Sequence, residues 1–215
     1  MRRDIQQLAA RQYDVLVIGG GITGACIAHD AALRGLSVAL IDKNDFGACT
    51  SSASSKLLHG GIRYLPKAQF HKVRESAREQ AVFQHLAPHL TRWLPFVIPT
   101  DKSSLVKGKM ALKAAMVVYG LCCAGLSGLI HDPGKQPPQR TFLKADEVIR
   151  KLPMLSAIKG LTGAQILLES HMHSSERMTL AFIKTAVENG AHVANYVQAG
   201  QLLVEGKRVV GVGAT

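Results

Sequence analysis

The glycine string Gly19-x-Gly21-x-x-Gly24 constrains this chain more than any other feature. It follows a short apolar run rich in β-branched residues, Tyr13 to Ile18 (YDVLVI), which suits a buried parallel strand. It opens a stretch from Ile22 to Arg34 that reads as a helix, with small residues Ala25, Ala28, Ala31 and Ala32 for close packing. Gly35 stands where a C-terminal cap belongs. A second apolar strand, Leu36 to Ile41, ends at Asp42. The order is strand, turn, helix, strand: a βαβ unit. Each glycine has a reason to be there. Gly19 permits a tight turn, Gly21 lets backbone approach a pyrophosphate, and Gly24 lets helix and strand pack closely. A helix N-terminus offers N–H groups and a positive dipole end to phosphates. Asp42 can accept hydrogen bonds from an adenosine ribose, and its charge disfavours the 2′-phosphate of NADP. The motif by itself leaves NAD and FAD both open.

The rest of the chain must supply a core around this unit. With 215 residues, 47% of them hydrophobic and 19% charged, it has material for one large or two small domains and is not disordered throughout. Lys67 to His85 has Val73, Ala77 and Ala81 at helical spacing, and Trp93 to Pro99 reads as a strand bounded by prolines. Gly134 to Arg140 reads as a loop or boundary. Gln165 to His173 alternates as a strand does. Glu176 to Glu188 reads as a helix started by Ser174 or Ser175 and stopped by Asn189-Gly190, followed by strands at 192–197, 201–205 and 208–212. The apolar run from Ala114 to Ile130 contains Gly120, Gly125 and Gly128, so a buried or membrane-touching helix fits it better than a bilayer span. The start, MRRDIQQLAARQYD, lacks the apolar core of a secretory signal. Cys26, Cys49, Cys122 and Cys123 show no CxxC spacing, which argues against a zinc ribbon or a disulfide scaffold and for a reducing compartment.

The net charge is +11, and between Lys56 and Lys113 the acidic residues are only Glu75, Glu79 and Asp101. That favours an anionic partner: a phosphorylated ligand or a membrane surface. Nucleic acid is not supported, because aromatic residues are 5% and no recognition motif is present. Glu169-x-His171-x-His173 would share one strand face like metal ligands, but no further ligand is evident and no metal is expected. The segment from Phe46 to Tyr64 (FGACTSSASSKLLHGGIRY) breaks the alternation of helix and strand that a nicotinamide domain would continue. Its small side chains and backbone N–H groups suit a stretch running extended beneath a long cofactor, which points to a flavin.

From Asp14 to Leu65 the chain closely resembles FAD-dependent glycerol-3-phosphate dehydrogenases of the quinone-linked or oxidase type; TSSxSSKLxHGGxRYL is a long and unusual string. Weaker similarity runs through EQAVFQHLAPHL and SSERMTLAFIKTAVENGAHVANY. The resemblance implies an α/β fold with a Rossmann-like FAD-binding domain of the glutathione-reductase and D-amino-acid-oxidase type, formed by residues 1–65 and 160–215. Residues 66–159 would be an inserted cap or substrate domain. It implies FAD as cofactor and oxidation of sn-glycerol 3-phosphate to dihydroxyacetone phosphate, by hydride transfer to flavin and onward transfer to quinone or oxygen. The protein would be cytoplasmic or peripheral on the inner face of the cytoplasmic membrane, where it could touch an anionic surface, and could form a homodimer. Gly19, Gly21, Gly24 and Asp42 would hold the ADP half of FAD. Thr50, Ser51, Ser52 and Ser55 would follow the pyrophosphate and ribityl chain. Lys56, Leu57, His59, Gly60 and Gly61 would approach the isoalloxazine, and Arg63 and Tyr64 would face substrate, with His59, Arg63 and Tyr64 as the catalytic set. Cys49 is read as a spectator. Family members carry acidic residues before the arginine that matches Arg177, where this chain has Ser174 and Ser175. They are also more than twice as long, so the resemblance covers only their N-terminal portion. The reading expects the chain to stop inside the flavin domain, with part of the FAD pocket absent. Alternatives left open are another FAD oxidoreductase of the amine or amino-acid oxidase fold, and a truncated, non-catalytic nucleotide-binding remnant.

Overall fold

The computed structural model describes residues 3–102, 108–138 and 141–215. Gln139 and Arg140 of the predicted loop, Arg2 of the N-terminus and Lys107 of the basic stretch lie outside the described residues. In chain order the elements are α1 (Ile5–Ala9), β1 (Val15–Ile18), α2 (Ile22–Leu33), β2 (Val38–Ile41), β3 (Leu57–Leu58), α3 (Phe70–Leu86), β4 (Thr91–Asp101) and α4 (Lys109–Cys122). There follow β5 (Phe142–Lys144), α5 (Ala145–Lys151), β6 (Leu161–Met172), α6 (Ser175–Glu188), β7 (His192–Ala194), β8 (Ala199–Glu205) and β9 (Arg208–Ala214).

They form two compact units, Met1–Lys56 with Ser174–Thr215, and Leu57–His173. The sequence reading put the changeovers near 65 and 160. The chain instead changes unit at Lys56–Leu57 and His173–Ser174. The reason is a ladder: β3 pairs antiparallel with β6, so both segments travel with the second unit.

The first unit is built on a parallel sheet in the order β1-β2-β7. All four residues of β2 are buried, as expected of the middle strand of a covered parallel sheet. Val15 pairs with Val38, and Ala39 with His192, so residues far apart in sequence close one sheet. The helix α2 buries Gly24, Ala25, Ala28, Ala31 and Ala32, a stripe at helical period. Against this narrow surface α6 sets Met178, Phe182, Ile183 and Ala186 in the core. Ser174, not Ser175, caps α6: its Oγ accepts the Arg177 N–H at 3.1 Å. The β8–β9 hairpin turns at Gly206-Lys207, with Gly206 at φ +61°.

The second unit is an antiparallel sheet in the order β3-β6-β4, with β5 also on β6. The β4 strand extends two residues beyond the predicted Trp93–Pro99 at each end, and its Pro95 and Pro99 are tolerated because β4 lies at the sheet edge. Val73 of α3, Met116 and Tyr119 of α4, and Leu167 of β6 form a buried cluster. The predicted helix from Lys67 starts later, at Phe70. A 3-10 turn over Ile62–Lys67 precedes it, and Ala68 in the left-handed region (φ +52°) ends that turn. The apolar run from Ala114 is broken after Cys122, where Gly125 at φ +78° starts a further 3-10 turn. Among the described residues no helix is long and apolar enough to cross a membrane.

Candidate functional site

The glycine string forms a cradle at the end of β1. Gly19 adopts φ +110°, a conformation L side chains rarely take. At Gly24 an added Cβ would overlap the Gly19 carbonyl oxygen, so only glycine lets the first turn of α2 lie on the strand end. The carboxylate of Asp42 is tied to this loop. One oxygen accepts the Gly20 N–H at 2.6 Å, and the other accepts the Asn44 N–H at 2.7 Å. Each oxygen has a second lone-pair direction, so the group retains capacity for a further donor.

The serine segment returns to the same place. Ser51 Oγ accepts the Ile22 N–H at 2.9 Å, and Gly47 N–H donates to the Gly20 carbonyl at 2.9 Å. The N-terminus of α2, capped by Gly21 without a side-chain bond of its own, is therefore served by a hydroxyl distant in sequence. The extended course expected for this segment is not what forms: residues 46–52 make successive turns. Ser52 Oγ donates to the Ala48 and Cys49 carbonyls at 2.9 and 2.8 Å, and Ser54 Oγ donates to the Ser51 carbonyl at 3.3 Å. Such local side-chain bonds compete with extended backbone. Thr50 and Ser55 are exposed. Lys56 sits at φ +59° and donates its N–H to Ser54 Oγ at 3.2 Å. Gly19, Gly21, Gly24, Asp42, Ser51 and Ser52 thus share one region of the first unit.

Leu57, His59, Gly60, Gly61, Arg63 and Tyr64 belong to the second unit. Here the backbone is held from inside. Gly60 N–H donates to Glu169 Oε2 at 2.6 Å, and the Gly60 carbonyl accepts from Tyr119 Oη at 3.0 Å. Gln80 Nε2 bridges, donating to the Leu58 carbonyl at 2.5 Å and to Glu169 Oε2 at 2.9 Å. A Cβ on Gly60 would strike Tyr119 Oη, and one on Gly61 (φ +79°) would come within 2.8 Å of Ser76 Cβ. Beyond the turn, Arg63 Nη2 donates to Tyr64 Oη at 2.7 Å, and its guanidinium lies 4.8 Å from the Tyr64 ring centroid. The His59 ring stands edge-on to Tyr64 at 6.2 Å. Burial, and then the Arg63 charge, hold the His59 imidazole below its ordinary pKa, which favours the neutral base. Glu169, only 5% exposed, is pushed up by burial; the Gly60 and Gln80 donors pull it back in part.

Residues 14–215 match the family model of the FAD dependent oxidoreductases. The chain belongs to that family. Among its relatives, the chain is 37% identical to an alpha-glycerophosphate oxidase of Streptococcus pyogenes serotype M6, across 99% of this chain and 34% of the relative. It is 36% identical to an aerobic glycerol-3-phosphate dehydrogenase of Bacillus subtilis, across 98% of this chain and 36% of that one. The chain therefore spans about a third of the length of these relatives. The glycerol-3-phosphate dehydrogenase from Bacillus halodurans, solved in complex with FAD, superposes with a TM-score of 0.67 at 30% identity, over 98% of this chain and 32% of that one. The L-proline dehydrogenase from P. horikoshii gives 0.70 at 19% identity, over 95% of this chain and 49% of that one, a likeness of fold alone.

Three side chains of this family member that fix the HGG turn were missed from sequence: Gln80, Tyr119 and Glu169. Gln80 carried a usable signal, a polar residue on the buried stripe of α3 beside Val73 and Ala77. Tyr119 looked like one more member of an apolar run. Glu169 was noticed only beside His171 and His173, and its carboxyl is turned onto Gly60 and Gln80. No group of His, Cys, Asp or Glu able to hold a metal occurs among the described residues.

Proposed function

We propose that this chain is part of an FAD-dependent enzyme that oxidises sn-glycerol 3-phosphate to dihydroxyacetone phosphate and passes the electrons to quinone or oxygen. The observation that carries the reading is the 36–37% identity, across 98–99% of this chain, to relatives named for glycerophosphate oxidation. The residues fit the cofactor. Glycine at position 24 lets α2 start against the end of β1, because a Cβ there would strike the Gly19 carbonyl oxygen. Gly21 at the N-terminus of α2 suits the close approach of a pyrophosphate, to which Ser51 and Ser52 are also assigned; the Ile22 N–H is held by Ser51 Oγ. Asp42 keeps lone pairs for the ribose hydroxyls. Lys56, Leu57, His59, Gly60 and Gly61 are assigned to the isoalloxazine, and Thr50 and Ser55 to the chain between. When bound, the flavin supplies the hydride acceptor.

The chain's own residues then have distinct tasks. Arg63 holds a phosphate or the developing carbonyl oxygen through its fork of donors, with Tyr64 beside it. His59, whose neutral form is favoured by burial and then by the Arg63 charge, takes the hydroxyl proton at a ring nitrogen. A peripheral site on an anionic membrane face is supported by α4, whose Met110, Val117 and Leu121 are exposed next to Lys109 and Lys113.

Purified protein supplied with FAD should turn yellow, and anaerobic glycerol 3-phosphate should bleach the flavin absorbance. Arg63→Ala should abolish the bleaching at substrate levels that saturate the wild type. Protein that takes up FAD but is bleached by an amino acid and not by glycerol 3-phosphate would contradict the substrate assignment.

A further inference from the structure

We infer that Glu169 is the positioning residue of the His59-Gly60-Gly61 turn, fixing it so that Gly60 meets a bound ring with carbon rather than with a hydrogen-bond donor. The inference rests on the flavin reading above and deepens it.

A backbone N–H or carbonyl away from water needs a partner. Gly60 has both of its groups engaged by side chains of its own unit, the N–H by Glu169 of β6 and the carbonyl by Tyr119 of α4. Neither is left over for a ligand in the ordinary way. The preceding residues are fixed similarly, since Gln80 of α3 binds both the Leu58 carbonyl and Glu169. Three elements therefore converge on one short stretch of backbone, and Glu169 joins two of them there, β6 and α3, while α4 reaches the same peptide through Tyr119.

A buried carboxyl is an expensive choice for a merely structural acceptor, because burial disfavours its ionised form. What it supplies is direction. The ladder from β3 to β6 ends at Leu58–Ser170, and beyond it the chain has no regular partner to set the orientation of the next peptide. The Glu169 carboxyl takes over that task. With the peptide fixed, the turn leads into the 3-10 segment that carries Arg63 and Tyr64, so their placement and that of His59 depend on it.

The test uses the full chain and three variants. Glu169→Gln keeps an amide oxygen for the Gly60 N–H, whereas Glu169→Leu removes the acceptor. Tyr119→Phe removes only the bond to the Gly60 carbonyl and keeps the ring, so it tests the network should Glu169→Leu fail to fold. FAD affinity and the visible spectrum of bound flavin are measured together with the His59 ring resonances by NMR without flavin, and with the thermal midpoint. Glu169→Leu should weaken FAD binding at least tenfold, and Tyr119→Phe about threefold. Both should displace the His59 ring resonances, and Glu169→Gln should restore affinity to within threefold of wild type. Wild-type affinity, spectrum and His59 resonances in both Glu169→Leu and Tyr119→Phe overturn the inference. If Glu169→Leu does not fold, those wild-type properties in Tyr119→Phe alone overturn it. Failure of the wild type to bind FAD, with His59 still displaced in the variants, overturns the flavin reading and upholds the positioning role.

Discussion

The glycine cradle of the first unit and the HGG turn of the second are both backbone turns shaped by tight contacts, but they are held by different means. At Gly24 the space an added Cβ would need is filled by backbone, the Gly19 carbonyl oxygen. At Gly60 it is filled by a side-chain hydroxyl, Tyr119 Oη. The cradle is thus shaped chiefly by the conformations that neighbouring residues can adopt. The turn is shaped by side chains from α3, α4 and β6 that reach it through the fold. A local device tolerates changes around it but not within it. A device assembled from distant residues can be broken and repaired from afar.

The largest effect should come from Gly24→Ala. The obstacle is backbone at the end of β1, which cannot move without disturbing the strand. Overpacking of this kind costs about 1–3 kcal/mol, and here the upper end or beyond is expected. Thermal unfolding should show a clear loss of stability together with loss of FAD uptake. No side-chain substitution elsewhere should restore either. Gly60→Ala should cost less, because its obstacle is one oxygen atom. Adding Tyr119→Phe removes that atom, so the double variant should regain roughly half of the lost stability while still lacking the bond to the Gly60 carbonyl. A double variant no better than Gly60→Ala would show that the two sites do not differ as described.

The same contrast decides what could be read from sequence. The cradle was legible because everything that makes it lies within thirty residues: the β-branched run of β1, the glycine spacing, the small-residue stripe of α2 and the acid after β2. The hydroxyl that serves the start of α2 was half legible. Ser51 belongs to the string assigned to the phosphates, but the turns of its segment are not legible, because the Ser52 and Ser54 bonds to nearby carbonyls leave no periodic mark. The HGG turn was recognised as a string and its anchors were not. Gln80, Tyr119 and Glu169 come together only when three elements pack, and β6 had already offered a more familiar pattern in Glu169 and its two histidines. The unit boundary slipped for a related reason. The short β3 joins the second unit through its pairing with β6, and a two-residue strand carries no period of its own.

A smaller effect is expected at Asp42, which belongs to the cradle but acts through a side chain. Asp42→Ala removes the acceptor of the Gly20 N–H and of the Asn44 N–H together with the group proposed for the ribose. Hydrogen bonds to a charged group contribute about 1.5–3 kcal/mol, so FAD affinity should fall roughly 10- to 100-fold. Asp42→Asn can accept in place of one oxygen only and should fall between Asp42→Ala and wild type. Titration of flavin fluorescence measures all three. An unchanged affinity in Asp42→Ala would move the ribose elsewhere and leave this residue a purely structural tie.

The smallest effect is a pH dependence within the second unit. In the second unit, burial raises the Glu169 pKa above the ordinary glutamate value and lowers that of His59 below the ordinary histidine value. Between the unfolded and folded pKa of Glu169 the native state binds the extra proton, so this contribution is full at acid pH and is lost as pH rises through the folded value. For His59 the unfolded state binds the extra proton. Its contribution is present above the ordinary histidine value and is lost as pH falls through the lowered one. The two slopes have opposite signs, so Glu169→Gln should reduce the loss of stability that sets in as pH rises above the ordinary glutamate value, and His59→Asn the loss that sets in as pH falls below the ordinary histidine value. Chemical denaturation of each variant across pH 4–7 separates them. A wild type whose limbs survive both substitutions would show that the HGG turn is insensitive to the charges packed around it, and the contrast with the cradle would then rest on steric contacts only.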